Sequence, residues 1–321
     1  MEPASHIINT LKIRGSWGEL GNQNTENLYP YIQLMKFVAQ DPNSNWLINN
    51  SRPNTANAPD LISALLGWET MRSWNIGFDL GMLNNRLTVS FDWFNRKTIN
   101  MVGPAPELPV TLGANVPKMN NADMQSTGFE LDLGWRDRIK DFDYGVHLLL
   151  SDDRQKILKY PNTTGKINTW YVGKYNGDIW GFETIGIAKS QEEMDAHLAS
   201  LPNGGQDALG VKWGAGDIMY RDLNGDGKIS DGATLNDPGD KKVIGNSSPR
   251  FRFGLDLNAS WKGIDVRLFF QGVAKRDAWL NDNMFWGATG GIWQSACFTS
   301  HLDFFREEGD DFWSANKDAY F

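Results

Sequence analysis

The strictest constraint on this chain is a two-residue alternation that runs from Phe251 to Gln271 with one short interruption. Phe251, Phe253, Leu255, Leu257, Ala259 and Trp261 are apolar, while Arg252, Gly254, Asp256, Asn258 and Ser260 are not. Successive side chains of a strand leave on opposite sides, so the pattern gives one apolar and one polar face. Lys262-Gly263 reads as a two-residue turn. Ile264, Val266, Leu268 and Phe270 then continue the apolar face against Asp265, Arg267, Phe269 and Gln271. Two long antiparallel strands are expected.

The same design recurs upstream. Trp74, Ile76, Phe78, Leu80 and Met82 alternate with Asn75, Gly77, Asp79 and Gly81, and Asn84-Asn85 supplies residues that tolerate positive φ in a tight turn. Leu87, Val89, Phe91 and Trp93 return. A third hairpin runs through Phe129, Leu131, Leu133 and Trp135, turns between Arg138 and Asp141, and returns through Tyr144, Val146, Leu148 and Leu150. Leu11, Ile13 and Trp17, opposite Lys12, Arg14 and Ser16, add a seventh strand.

Loop lengths are asymmetric. The turns after Met82, Trp135 and Trp261 are short, whereas Gly18 to Gly67, Gly103 to Ser126 and Ser151 to Arg250 are long connections. Membrane β-barrels of the outer-membrane type have short turns at one rim and long loops at the other. Trp135 and Trp261 then fall at the short-turn rim and Trp17, Trp74 and Trp93 at the other, as two aromatic girdles. A soluble β-sandwich also alternates, so a secreted, calcium-stabilised carbohydrate-binding module on that fold is the alternative.

Composition fits either fold. No run of about 18 apolar residues exists, which excludes a transmembrane helix. The mean hydropathy of -0.45 does not exclude a barrel, whose strands wet one face. Fourteen Trp and seventeen Phe exceed what a soluble core of this size needs. The net charge of -8, with no basic stripe, argues against nucleic acid. The lone Cys297 rules out an internal disulfide framework.

Two features stand out in the longest connection. Ser190-Gln191-Glu192-Glu193 is a capping box, followed by Met194, Leu198 and Leu201 as the apolar stripe of a short helix packing on its own loop. Asp222-Leu223-Asn224-Gly225-Asp226-Gly227-Lys228-Ile229-Ser230 has the opening of a calcium loop. Asp222, Asn224 and Asp226 side chains and the Lys228 carbonyl are candidate Ca2+ ligands. The closing carboxylate of an EF-hand is missing, since the twelfth position is Ala233, and Asp231, Asp237 or Asp240 would have to close the cage. The same residues suit an Asx-type turn without metal.

No catalytic constellation appears. His6, His147, His197 and His301 are scattered, His147 falls on a polar strand face, and Glu130 and Asp132 lie two apart on the polar face of one strand, as in any wetted wall. Gly287 to Gly291 lacks the strand-to-helix context of a phosphate loop and reads as a flexible loop. No enzyme is expected.

Several segments resemble the C-terminal barrel half of SusC/RagA-like TonB-dependent transporters. They are Leu11 to Gly18 followed by Gly21-Asn22-Gln23; Trp68-Glu69-Thr70 leading into Asn75 to Asp79, then Asn85-Arg86-Leu87; the capping-box helix; Gly216-Asp217-Ile218 through Gly227; Ile244-Gly245-Asn246 and Pro249; and Phe269-Phe270-Gln271-Gly272. The resemblance spans nearly the whole chain. It implies about seven strands of a 22-stranded transmembrane β-barrel in a Gram-negative outer membrane, with long extracellular loops. It further implies TonB-energised import of oligosaccharides or peptides, captured with a SusD-like surface lipoprotein. Residues 1–321 are then expected to be part of a barrel domain whose plug and closing strands lie elsewhere, because open strand edges cannot face lipid. Met1 to His6 lack the basic region and apolar core of a signal peptide, which leads us to expect an internal fragment, and Phe321 is expected not to be the aromatic end of a closing strand. Trp170, Tyr171, Tyr175 and Trp180, in the longest loop, are candidates for stacking on sugar rings, against packing within their own loop.

Overall fold

The computed structural model describes residues 7–23, 32–33, 35, 37–43, 46–56, 59, 61–62, 66–104, 118–280, 298–307 and 315–318. His6, Gly287 to Gly291, Cys297 and Phe321 lie outside them. The chain divides into two units. One comprises residues 1–163, 170–176 and 249–274, the other 164–169, 177–248 and 275–321.

The first unit is an antiparallel sheet. Its strands are β1 (Ile8–Asn22), β4 (Glu69–Met82), β5 (Leu87–Gly103), β6 (Met119–Ile139), β7 (Phe142–Lys159), β12 (Arg250–Trp261) and β13 (Ile264–Lys275), hydrogen-bonded in that order. The short strands β2 (Phe37–Val38) and β3 (Thr55–Ala56) pair with each other. All seven expected long strands form, and the tight turns fall where the sequence placed them. Asn84 and Asn85 take φ of 59° and 60°, and Lys262-Gly263 takes 48° and 85°.

Register explains the apolar face. Ile13, Phe78, Phe91, Leu131, Leu150 and Phe253 form one hydrogen-bonded row, and Leu11, Leu80, Val89, Leu133, Leu148 and Leu255 form another. The apolar edge on the long-loop side is Trp17, Trp74, Trp93, Phe129 and Leu150 on β1, β4, β5, β6 and β7. Relative to the first row it lies four, four, two, two and no residues further along. The edge therefore slips about one residue per strand. A step of about 3.4 Å along for about 4.8 Å across is a tilt of about 35°, the inclination of strands in membrane barrels. Trp74 to Met82, nine residues at that tilt, span about 25 Å, the height of a barrel's apolar band.

The apolar face is bare. Ile13 is 77% exposed and Trp17 68%. A β-sandwich would bury these side chains under a second sheet, so the sandwich alternative is overturned.

Three strands run well past the 9–11 residues that cross a bilayer: β5, β6 and β7 have 17, 21 and 18. Past the apolar edge they go on pairing with polar residues on both faces, as in Lys97 with Gln125 and Ser126 with Gln155. Where β12 no longer covers β7, residues 173–176 take its edge. Ile157 N–H donates to the Lys174 carbonyl at 2.9 Å, Gly173 N–H to Ile157 at 2.9 Å, and Asn176 N–H to Gln155 at 2.8 Å.

The second unit holds β8 (Asp178–Phe182) paired with β11 (Lys241–Asn246), β9 (Thr184–Ile187) paired with β10 (Ile218–Tyr220), and helix α1 (Gln191–Ala199). Met194 of α1 is buried with Ala188 and Met219, and Leu198 and Trp213 pack on them. The helix serves its own loop, as expected. Ser190 accepts from the Glu193 N–H at 3.3 Å, while the Glu193 carboxylate accepts from Lys189 N–H at 2.7 Å, one residue before the cap.

Candidate functional site

The polar face of the sheet is cross-linked by charge from strand to strand. Arg14 on β1 donates to Asp79 on β4 (2.9 Å) and to Ser90 (3.0 Å) and Asp92 (2.7 Å) on β5. It crosses a whole strand because the register runs Arg14, Gly77, Asp92, and Gly77 has no side chain to block it. A Cβ on Gly77 would stand 2.3 Å from an Asp92 carboxylate oxygen. Ser90 donates to Asp79 at 2.8 Å and closes the cluster. Further round the sheet, His147 meets Asp132 at 2.7 Å, Arg252 donates to Asp153 at 2.6 Å, and Arg267 donates to Asp256 at 2.7 Å. Off that face, in the row of Trp93 and Phe129, the buried Asp152 forms a two-pronged pair with Arg250 and also accepts from Phe251 N–H at 3.2 Å.

Asp132 is engaged by His147, and Glu130 lies two residues away on the same face of β6. Among the described residues no hydroxyl is hydrogen-bonded to His147, so nothing there would be activated as a nucleophile.

The four loop aromatics divide between the two units. Trp170, Tyr171 and Tyr175 belong to the first unit and Trp180, on β8, to the second. All four are half-buried. Trp170 leans on Tyr160 with ring centres 5.6 Å apart, Lys174 sits over Tyr171 at 5.3 Å, and Arg154 sits over Tyr175 at 4.6 Å.

The Asp222–Ser230 loop is organised by its own carboxylates. Asp222 accepts from Gly225 N–H (2.6 Å) and Gly227 N–H (2.8 Å), Asn224 from Asp226 N–H (2.9 Å), and Asp226 from Lys228 N–H (3.1 Å). Gly225 and Gly227 take φ of 74° and 80°, which the turn requires. Burial alone would raise the Asp222 carboxyl, but the converging backbone N–H groups outweigh it and hold it below the usual carboxylate range. Asp231 is ion-paired with Lys241. Asp240 is fully buried, accepting from Leu223 N–H (2.8 Å) through one oxygen and from Ser230 N–H (2.7 Å) through the other. Asp237 accepts from Gly239 N–H at 3.4 Å. Among the described residues, no three His, Cys, Asp or Glu side chains converge as a metal group. Sequence reasoning missed the tie that Asp240 makes across the loop and the buried Gln206, which accepts from Tyr220 N–H at 2.7 Å and donates to the Ile218 carbonyl at 3.1 Å. A polar residue with no alternation around it carries no signal of burial.

A sheet with one bare apolar face, one ion-paired polar face and a one-residue slip per strand is the wall of a membrane β-barrel. The chain belongs to the family described as TonB dependent receptor-like, beta-barrel, which matches residues 5–294. It is similar to TonB-dependent receptor P3 of Formosa agariphila, 26% identical over 83% of this chain and 26% of that protein. It is also similar to TonB-dependent receptor SusC of Bacteroides thetaiotaomicron, 26% identical over 81% of this chain and 24% of that protein. Among solved structures, the RagAB peptide transporter superposes with a TM-score of 0.67 at 20% identity, covering 99% of this chain and 31% of that one. The chain thus spans about a quarter of the length of the curated relatives it matches.

Proposed function

We propose that this chain is one segment of a larger outer-membrane barrel that imports nutrients, energised by TonB and fed by a SusD-like surface lipoprotein. The bare apolar face with its regular slip carries the reading, because only lipid covers such a face without a second sheet. β1 and β13 end the strand order, so each has an edge for further strands of the same wall. The family, and the similarity to SusC and to the RagAB peptide transporter, support oligosaccharides or peptides as cargo. Trp170, Tyr171, Tyr175 and Trp180 are proposed as cargo-stacking side chains, and no catalytic role is proposed for any residue. Deleting the gene in its host tests this: growth on an oligosaccharide or peptide source should be lost and restored by the full-length gene. Undiminished growth on every such source would contradict it.

For the second unit we propose a weak divalent-cation site at Asp222, Asn224, Asp226 and the Lys228 carbonyl. What supports it is the curl of three oxygen-bearing side chains around Gly225 and Gly227. Asp231 and Asp240 join only by leaving Lys241 and the Leu223 and Ser230 amides.

A further inference from the structure

Two apolar side chains stand together on the polar face of the sheet. Leu149 on β7 shares the parity of His147, and Phe269 on β13 that of Arg267, yet they are 45% and 57% exposed. Between them lies Gly254 on β12, the register partner of Leu149. A Cβ on Gly254 would stand 3.8 Å from the Phe269 ring and 3.9 Å from Leu149, so the glycine leaves a slot with one aromatic and one aliphatic wall. The slot belongs to a recess of about 500 Å³ whose charged lining is Asp92, Glu130, Asp132 and Arg252. Three of these four are held: Asp92 by Arg14 at 2.7 Å, Asp132 by His147 at 2.7 Å, and Arg252 by Asp153 at 2.6 Å. Glu130 is exposed, and no group among the described residues bonds to its carboxylate. It pairs in register with Ser151, which makes it the diagonal neighbour of Leu149. The recess lies at the long-loop end of the wall, since Glu130 and Ser151 adjoin Phe129 and Leu150 of the apolar edge.

We propose that this recess binds a lysine or arginine side chain of a peptide cargo, with its stem between Phe269 and Leu149 and its charge on Glu130. The proposal rests on the import reading above and narrows it to peptides carrying basic residues. Diagonal neighbours across an antiparallel pair stand about 7–8 Å apart, a gap that an extended basic side chain spans. Phe269 offers a ring face to the cation, and Leu149 covers methylenes that would otherwise stay wet. An unpartnered carboxylate beside apolar surface is complemented by a cation on an apolar stem, whereas a neutral sugar leaves the charge unanswered. The long-loop end of such a barrel is the one open to the outside, which makes incoming cargo the occupant.

The test uses the full-length transporter in detergent and two dye-labelled pentapeptides, with binding read by fluorescence anisotropy. One peptide has a central arginine; the other has citrulline there, which keeps the shape without the charge. The variants are E130Q, F269L and D265N, the last removing an exposed carboxylate at the short-turn end of the same face, each checked for a folded, heat-modifiable band. Wild type and D265N should bind the arginine peptide on the order of tenfold more tightly than the citrulline one. E130Q should bring the two peptides to equal affinity, and F269L should weaken the arginine peptide a few-fold. An arginine preference that survives in E130Q, no preference in the wild type, or displacement of the arginine peptide by an equal concentration of maltoheptaose would overturn the proposal. The import reading fails by a different result: a gene-deletion strain that grows undiminished on every peptide and oligosaccharide source. Growth lost in that strain, beside a wild-type protein without arginine preference, sinks the recess alone.

Discussion

Arg14 and Asp92 meet at 2.7 Å although a full strand separates them, and Gly77 is the residue that lets them do so. One cation thereby ties β1, β4 and β5 together on the polar face. An alanine or valine at position 77 must displace the Asp92 carboxylate or the Phe91 carbonyl, 2.6 Å from the added carbon. Gly77→Val should destabilise the full-length barrel by about 1–3 kcal/mol, read as a lower urea midpoint of the heat-modifiable form. Gly15→Ala, where an added carbon meets nothing within 4 Å, is the control that should change little.

The two faces should respond oppositely to charge. Leu133 lies mid-row between Val89 and Leu148, whereas Asp132 lies on the polar side against His147. Leu133→Arg should cost about 2–4 kcal/mol in lipid, while Asp132→Asn should cost far less. Urea titrations in the same bilayer compare them.

Asp240 holds the metal-loop region from below its surface. Asp240→Ala strands the Leu223 and Ser230 N–H groups in a fully buried site, which should destabilise the second unit by about 2–4 kcal/mol. Hydrogen exchange should quicken over 222–230 and leave the amides of β5 and β6 unchanged.

Acid should loosen the same loop. The Asp222 carboxyl is held low in the folded chain, so its stabilisation is present above the unfolded carboxylate value of about 3.9 and is lost as pH falls through the folded value. Exchange protection over 222–230 should therefore fall below about pH 4, and Asp222→Asn should remove that dependence while leaving the loop weaker at neutral pH.

Calcium should bind weakly if at all stages the loop keeps its amide contacts. Four oxygen ligands with two carboxylates place the affinity in the range of about 0.1–1 mM, as in extracellular modules. Titration calorimetry that shows saturable heat, abolished by Asp226→Ala, supports the site. Heat absent up to 10-fold above that range would leave the loop a hydrogen-bonded turn.

Much of this architecture was legible because alternation is local. Phe251 to Gln271, Trp74 to Trp93 and Phe129 to Leu150 each declare a hairpin within about twenty residues, and the turn residues declare where it closes. The upper parts of β5, β6 and β7 were not legible, since a strand polar on both faces has no period to detect. The reach of Arg14 over Gly77 depends on register between strands 60 residues apart in sequence, more or less, which no single segment encodes. Gly173 to Asn176 pairs with β7 chiefly through backbone groups, and the side-chain contacts that join it, Asn176 with Gln155 and Tyr175 with Arg154, depend on residues 21 apart that no local pattern links. The loop aromatics illustrate the converse. Their composition favours stacking, yet Tyr160, Lys174 and Arg154 already occupy part of Trp170, Tyr171 and Tyr175.

The central claim is that odd residues of β6 face lipid and even ones face water. Single cysteines at 130, 131, 132 and 133 of the full-length protein, with Cys297 replaced by Ser, can carry a fluorophore in bilayers containing brominated lipid. Quenching should be strong at Leu131 and Leu133 and weak at Glu130 and Asp132, which should react instead with a water-soluble thiol reagent. Equal quenching at all four positions, or none at any, would contradict the account.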